Sequence, residues 1–305
     1  MIKYSKARYD SDDEARLIVK ENEADFESRL SALTKSVSEE PDIRLITLTG
    51  PTCSGKTTTA KKLVDTFEAC HKRVNIISID DFYFDNKKLV EISKAKGIDH
   101  VDYDSADTID LLALDLFIDE ILDSKKPEVH CPVYDFVEKR RTHYKTLECT
   151  DDDIFVFEGI QALYPEVIEL FDGRPFCSIF ICAKSGLDVE GAVFEPNEIR
   201  LLRRLVRDNH RRATPPELTF GMWKNVRHNE DVNIFPYADR CKYQIDSVFS
   251  HEISLLKPYL EEFLPTVSES SEFYDDARAI LKKIAHIETI PKDYISENSL
   301  YHEFI

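Results

Sequence analysis

The residues best suited to chemistry in this chain are Gly50 to Thr57, which read GPTCSGKT. They match the G-x-x-x-x-G-K-[ST] pattern, in which backbone N–H groups and a helix N-terminus cradle phosphates. In that pattern the lysine reaches the β- and γ-phosphates, and the final hydroxyl ligates Mg²⁺. The sequence therefore predicts a nucleoside-triphosphate site. Its contacts are expected from Gly50, Pro51, Thr52, Cys53, Ser54, Gly55, Lys56, Thr57 and Thr58.

The segments around this loop predict the elements that must position it. Residues 43–49 (IRLITLT) are apolar and β-branched, as in a buried parallel strand, and residues 58–70 have the spacing of an amphipathic helix. Apolar strands and helices alternate along the rest of the chain, which predicts a doubly wound parallel α/β sheet. The further strands are predicted at 74–79, within 127–136, and at 154–157, 176–182 and 243–248, and helices are predicted at 108–122, 197–212 and 251–264.

Composition divides the 305 residues into a central domain with two extensions. Residues 1–40 are polar and acidic, with a helix predicted near 12–34, and are interpreted as an arm outside the nucleotide fold. Residues 41–265 hold the alternating pattern. Residues 266–305 form a C-terminal extension with a short helix predicted near 275–287.

The overall charge limits the partners of this protein. A formal charge of −18 opposes broad contact with nucleic acid or anionic membranes. No apolar run approaches the roughly 18 residues of a membrane span, and the N-terminus lacks the apolar core of a signal peptide. We therefore expect a cytoplasmic protein with a small-molecule substrate. The seven cysteines contain no C-x-x-C pair and are expected to be reduced thiols, Cys53 being the one exposed to oxidation.

Three classes of protein share this loop, and other residues separate them. The N-K-x-D motif of GTPases is absent, because its nearest string, residues 86–89, reads NKKL. An L-S-G-G-Q signature of transport ATPases is absent as well. Arg200, Arg203, Arg204 and Arg207 fall at helical spacing on one stripe, where four like charges repel unless an anion lies among them. This predicts an arginine lid that closes over ATP, and it favours a small-molecule kinase.

Five further motifs follow the loop in order. They are DDFY at 80–83, YDSADTID at 103–110, PVYDF at 132–136 followed by Arg141, FEGIQAL at 157–163, and RLLRRLVRD at 200–208. Together they resemble the uridine kinase and phosphoribulokinase family of P-loop kinases over residues 43–250. The resemblance implies that the doubly wound sheet is of the P-loop NTPase (nucleoside-monophosphate-kinase-like) type. Segments 222–223, 234–237 and 299–305 resemble its bacterial uridine-kinase-like branch.

The resemblance implies roles for the acidic residues. Asp80 would take the proton of the acceptor hydroxyl, or orient that hydroxyl for in-line attack. Asp81 stands where the family has serine and is the weaker candidate. Glu158 would hold Mg²⁺ together with the Thr57 hydroxyl.

The same resemblance implies roles for the basic residues. Lys56 would stabilise the charge on the phosphoryl group in flight, with Arg203 and Arg204 as the preferred lid pair. Arg200 and Arg207 are predicted to contact ATP. The expected co-substrate is ATP, with Mg²⁺ as cofactor.

The acceptor site is implied by family positions that line the nucleoside site. Aromatic side chains would sandwich a base or sugar, and a carboxylate would bind the ribose hydroxyls. These positions are Tyr83, Tyr103, Asp104, Tyr134, Phe136 and Arg141.

One substrate position departs from the family pattern. Lys139 stands where pyrimidine nucleoside kinases have a histidine that reads the base, and a lysine can only donate hydrogen bonds. The leading acceptor is the 5′-hydroxyl of a uridine- or cytidine-like nucleoside, and a sugar, polyol or pantothenate-like alcohol is the alternative. A nucleotide-binding regulatory protein without turnover is a further alternative. Homo-oligomerisation stays open, since residues 294–305 would dock on their own domain or on a neighbour's.

Overall fold

The computed structural model describes residues 1–97, 101, 103 and 105–305. Its strands, in chain order, are β1 (Ile2–Ser5), β2 (Leu45–Thr49), β3 (Val74–Ser78), β4 (Glu128–Asp135), β5 (Arg140–Glu148), β6 (Ile154–Glu158), β7 (Phe176–Cys182), β8 (Gly186–Val189), β9 (Ala192–Phe194) and β10 (Tyr243–Asp246). Its α-helices are α1 (Asp12–Ser38), α2 (Lys56–Glu68), α3 (Asn86–Ala95), α4 (Leu111–Leu122), α5 (Pro165–Ile168), α6 (Pro196–Arg212), α7 (Pro216–Asn233), α8 (Phe235–Ala238), α9 (Glu252–Phe263) and α10 (Tyr274–Ile284).

A five-stranded sheet organises the molecule, with strand order β10-β7-β2-β6-β3 and parallel pairing throughout. Its central strand β2 is buried along its whole length, as its apolar sequence predicts. Apolar clusters lie on both faces: one contains Phe67 of α2 and Leu202 of α6, and the other contains Phe117 of α4. The predicted doubly wound parallel sheet is confirmed.

Parallel pairing of the strands places the candidate catalytic residues at one edge of the sheet. The carboxyl ends of β2, β3 and β6 lead into the phosphate loop, Asp80 and Glu158 respectively. Glu158 is paired in register with Leu48 of β2 and with Ser78 of β3. Because ligands of open α/β sheets bind outside these strand ends, this edge is the candidate site.

Several elements have no counterpart in the sequence prediction. They include the short helix α3, the strand β5, which pairs with β4 as an antiparallel hairpin, and the helix α7. The strands β1, β8 and β9 and the four-residue helices α5 and α8 were not predicted either. The start of α7 carries a sequence signal, because a proline at the first helical position favours a helix N-terminus. Along the rest of α7 the apolar and polar residues lack a clear helical period, so the remainder of this helix depends on tertiary packing.

Both extensions pack on the sheet domain. Strand β1 pairs in parallel with β8, and α1 packs against α2 through buried residues such as Phe26 and Leu30. At the other end, Tyr301 and Phe304 are fully buried in the same apolar cluster. The predicted tail therefore docks on its own chain, and the domain boundaries at 40 and 265 stay a prediction. In the part of the chain that the structure describes, no helix is long and apolar enough to cross a membrane.

Candidate active site

The phosphate loop is built by backbone conformations that its sequence permits. A Cβ at Gly50 would lie 1.9 Å from the carbonyl oxygen of Ile181, so only glycine fits there. Gly55 has φ +92°, in the left-handed region that favours glycine, and α2 begins at the next residue. Cys53 is only 2% exposed, so the prediction that it is open to oxidation was wrong: its side chain packs into the apolar core.

A cavity of about 530 Å³ opens beside this loop. Lys56 lies at its wall, 8% exposed, with its Nζ donating to the carbonyl oxygen of Pro51 at 3.1 Å. The Thr57 side chain is exposed at the same wall. The sequence-predicted residues that line this cavity are Thr52, Cys53, Lys56, Thr57, Asp80, Glu158, Arg204 and Arg207.

Asp80 and Glu158, at the ends of the neighbouring strands β3 and β6, line the cavity together with the loop. Burial raises the pKa of Glu158 to about 7, the Lys56 charge counteracts that rise, and the charges of Asp80 and Glu303 add to it. Asp81 does not line this cavity. Its carboxylate accepts a hydrogen bond from the backbone N–H of Tyr134 at 3.0 Å, and burial raises its pKa. Asp81 therefore supports the β4–β5 hairpin.

The donor set of the cavity fits a hard divalent cation. Thr57 offers a hydroxyl and Glu158 a carboxylate, and oxygen is the ligand that Mg²⁺ prefers. Among the described residues, no group of three or more His, Cys, Asp or Glu side chains could hold a metal ion by itself. A site with one carboxylate and one hydroxyl suits Mg²⁺, because this ion usually binds through one or two carboxylates together with waters and substrate phosphates.

The arginine stripe of α6 divides between two environments, and this corrects the prediction that all four arginines face ATP. Arg203 is fully buried beneath the phosphate loop. Its guanidinium donates to the Cys53 carbonyl at 3.1 Å, to the Ser247 hydroxyl and carbonyl at 3.0 and 2.8 Å, and to both carboxylate oxygens of Glu252. These bonds use all five N–H donors, so Arg203 braces the loop from behind.

Arg200 occupies a parallel position one helical turn earlier. It is also fully buried, and it donates to the Thr52 carbonyl at 3.2 Å and to Glu230 at 2.6 and 2.8 Å. Glu230 of α7 in turn accepts the Thr52 N–H at 3.0 Å. Two buried glutamates on other helices therefore hold these two arginines away from the cavity, which the spacing within α6 could not reveal.

Arg204 and Arg207 do line the cavity, and Asp208 orients both. The Asp208 carboxylate accepts from Nε of Arg204 at 3.2 Å and from Nε and Nη2 of Arg207 at 3.0 and 2.7 Å. Four charged residues that the sequence analysis did not assign to the site line the same cavity: Arg211, Arg212, Glu230 and Glu303. Arg211 and Arg212 continue the basic run of α6, which was a usable signal, whereas nothing in the sequence links Glu303 to this site.

The four predicted acceptor aromatics form one cluster, in which the backbone N–H of Tyr83 donates to the Asp80 carbonyl oxygen at 3.1 Å. Ring centroids lie 6.1 Å apart for Tyr83 and Tyr103, 5.6 Å for Tyr83 and Tyr134, and 5.2 Å for Tyr134 and Phe136. Phe136 is 59% exposed, so its ring is open to a ligand or solvent. Gln161, which the sequence reasoning missed, donates to the Tyr83 hydroxyl at 2.8 Å and the Tyr103 carbonyl at 2.9 Å.

The remaining acceptor predictions have different outcomes. The Arg141 guanidinium donates to the Phe82 carbonyl at 2.7 Å and to the Asp110 carboxylate, which ties β5 to the segment after β3. Lys139 is exposed in the hairpin turn, with φ +54°. Asp104 lies outside the described residues.

Fold and site together define the class of this protein as a P-loop kinase. The phosphate loop follows the central strand, and acidic residues follow the two neighbouring strands. The chain resembles in fold the structure of a candidate fructose transport system kinase from Silicibacter sp., with a TM-score of 0.52 at 18% identity, covering 71% of this chain and 98% of that one.

The chain belongs to the phosphoribulokinase/uridine kinase family, whose sequence profile matches residues 45–254. A uridine kinase of Clostridium botulinum is 31% identical over 184 residues, which are 60% of this chain and 77% of the relative. A uridine kinase of Ureaplasma urealyticum is 28% identical over 183 residues, with the same coverage. This protein is therefore a phosphotransferase with an alcohol group as acceptor.

Proposed function

We propose that this protein is an ATP- and Mg²⁺-dependent kinase that transfers the γ-phosphoryl group to the 5′-hydroxyl of a nucleoside. One observation carries the proposal: Lys56, Asp80, Glu158, Arg204 and Arg207 line one cavity. A lysine, two carboxylates and two arginines at the end of a phosphate loop are the parts that phosphoryl transfer requires.

The role of each of these side chains in phosphoryl transfer follows from its charge. Asp80 accepts the proton of the acceptor hydroxyl or aligns that hydroxyl with the γ-phosphorus. Lys56, Arg204 and Arg207 stabilise negative charge that spreads over the equatorial oxygens during transfer. Because this reaction depends chiefly on positioning and electrostatics, these three cations supply much of the barrier lowering.

Thr57 and Glu158 would hold the magnesium ion. When bound, the ion neutralises charge on the phosphates of ATP. Since burial raises the pKa of Glu158 to about 7, a fraction of the carboxyl groups is protonated at neutral pH and must lose that proton before binding a cation.

Two observations support a nucleoside as acceptor. The aromatic cluster around Tyr83 offers flat apolar surfaces with an open ring at Phe136, which suit a base or sugar. The relatives that match the chain at 28–31% identity are uridine kinases. A uridine- or cytidine-like nucleoside is therefore the first acceptor to test.

A second candidate acceptor is a polyol or an anionic alcohol. A neighbouring cavity of about 870 Å³ is lined by Lys88 and Lys96, and it shares Asn229 with the cavity at the phosphate loop. Asp107, Asp110 and Glu166 line the same cavity, and Lys96 is paired with Asp107, so the mixed charges suit a polyol with many hydroxyls. Lys139 in the hairpin turn is the cation that would favour an anionic alcohol.

The proposal includes a cytoplasmic small-molecule reaction without a nucleic-acid partner, because a chain with a charge of −18 repels phosphate backbones. Residues 41–265 would form the kinase domain.

The test is ADP release with Mg·ATP against a panel of nucleosides, sugars, polyols and pantothenate, with Asp80→Asn as the blank. Turnover on one acceptor class that falls by about a hundredfold or more in Asp80→Asn supports the proposal and identifies the acceptor. ATP binding without acceptor-dependent turnover would favour the regulatory alternative.

A further inference from the structure

The last residues of the chain pack directly on the phosphate loop. Residues Leu300–Glu303 form a 3₁₀ turn against the start of α2. The Leu300 Cδ1 atom lies 2.5 Å from the position that a Cβ on Gly55 would occupy, so the tail touches the loop at its second glycine. The segment from Leu300 to Ile305 is called the tail segment below.

The backbone of the tail segment is firmly anchored. Tyr301 and Phe304 are fully buried, and the Arg203 guanidinium carbon lies 5.9 and 5.1 Å from their ring centroids. Arg211 donates through Nη2 to the His302 carbonyl at 2.7 Å and to the main-chain oxygen of Ile305. Buried rings and a charged donor hold the segment in place, so the Glu303 side chain can move while its backbone stays.

Glu303 directs its carboxylate at the start of the phosphate-loop helix. Its Oε2 accepts from the Thr58 N–H at 3.4 Å and from the Thr58 hydroxyl at 3.3 Å. The N–H of Thr59 donates to the Gly55 carbonyl at 3.0 Å, so intrahelical bonding begins only after Thr58. The amide of Thr58 is thus one of the helix-start donors that are available to an anion.

Glu303 lies among the charged side chains that line the cavity beside the phosphate loop. Its charge contributes to the raised pKa of Glu158 and, more weakly than other groups, to the raised pKa of Arg207. A carboxylate therefore lies on helix-start donors directly after the loop motif, where the sequence analysis expects contacts to ATP, among side chains that would meet its phosphates. Both contacts to Thr58 are long, so the interaction is weak and readily exchanged.

We propose that the Glu303 carboxylate is an internal competitor for the nucleotide phosphates. In the nucleotide-free protein it occupies the Thr58 donors, and it must leave them when a nucleotide binds. The inference rests on the proposed function, since it assumes that the loop binds a nucleoside polyphosphate. The exchange needs only a side-chain rotation, because the tail backbone is anchored on either side of Glu303.

Glu303→Gln removes the competing charge with little change in shape. We expect Mg·ATP and inorganic tripolyphosphate to bind on the order of tenfold more tightly to this variant, because one negative charge has left a partly exposed phosphate site. Glu297→Gln removes an exposed carboxylate from the same tail region and is the matched control, with affinities expected to equal those of the unaltered protein. Isothermal titration calorimetry on the full chain measures all three proteins, and their melting temperatures verify folding.

Each outcome decides a separate question. Tighter binding of both ligands to Glu303→Gln, but not to Glu297→Gln, supports competition. Equal or weaker binding overturns it, and weaker binding would make Glu303 a residue that assists the nucleotide. A gain for ATP without a gain for tripolyphosphate also overturns it, because the effect would then lie at the base or ribose. If the unaltered protein binds neither ligand, the proposed function itself fails.

Discussion

Replacing Arg203 with methionine removes one half of a fully buried ion pair. Glu252 would keep its charge in the protein interior without its partner, and the carbonyls of Cys53 and Ser247 would lose their donors. Breaking a buried pair in this way costs about 3–5 kcal/mol of unfolding free energy. In a protein of this size that loss lowers the melting temperature by roughly 5–8 °C.

Arg204→Met is the matched substitution one residue along the helix. Arg204 lines the cavity, and its partner Asp208 keeps the two hydrogen bonds from Arg207. We expect its melting temperature to change by only about 1–2 °C, while turnover falls by about a hundredfold because a cation near the phosphates is lost.

Differential scanning calorimetry and steady-state kinetics on both variants separate the two roles. The double variant Arg203→Met/Glu252→Gln should recover part of the lost stability, because no unpaired charge is then left buried. If Arg203→Met melts like the unaltered protein but loses turnover, the bracing role is refuted and the prediction that Arg203 contacts ATP is restored.

Further predictions address the loop, the acceptor, the metal and the core. Lys56→Ala should weaken Mg·ATP binding and reduce turnover by about a hundredfold or more; unchanged affinity in calorimetry would contradict the loop assignment. Lys139→His should raise kcat/KM for uridine relative to other acceptors, and an unchanged acceptor profile would place Lys139 outside the site. The affinity for Mg²⁺ should rise with pH through about 7 as Glu158 loses its proton, and a titration series should show a flatter response in Glu158→Gln. Burial lowers the pKa of His251 to about 3, so its contribution to stability is full well above pH 6.5 and declines as the pH falls below that value, by roughly 1 kcal/mol at pH 5.5. Urea unfolding of His251→Phe should lack this part of the acid dependence, and an equal change of unfolding free energy with pH in both proteins would contradict the assignment.

Much of the fold could be predicted from the sequence because its signals are local. Strand β7 and helix α6 follow contiguous apolar and amphipathic patterns, and the structure gives them nearly the predicted bounds. Asp80 and Glu158 were recognised at strand ends, and parallel pairing alone then brings them to one edge of the sheet. Helix α7 was missed because its pattern is weak, and with it the sequence reasoning missed Glu230.

The sequence by itself determined the phosphate loop, the order of the core strands along the chain and the set of residues available for phosphoryl transfer. Tertiary structure decided which of the four arginines face the cavity. Arg203 meets Glu252 across 49 residues of chain, and Thr58 meets Glu303 across 245. Helical period predicts that side chains share a stripe, but a buried charge takes its position from the partner that neutralises it. Since those partners lie on distant elements, packing of the whole chain was needed to separate the arginines that brace the loop from those that line the site.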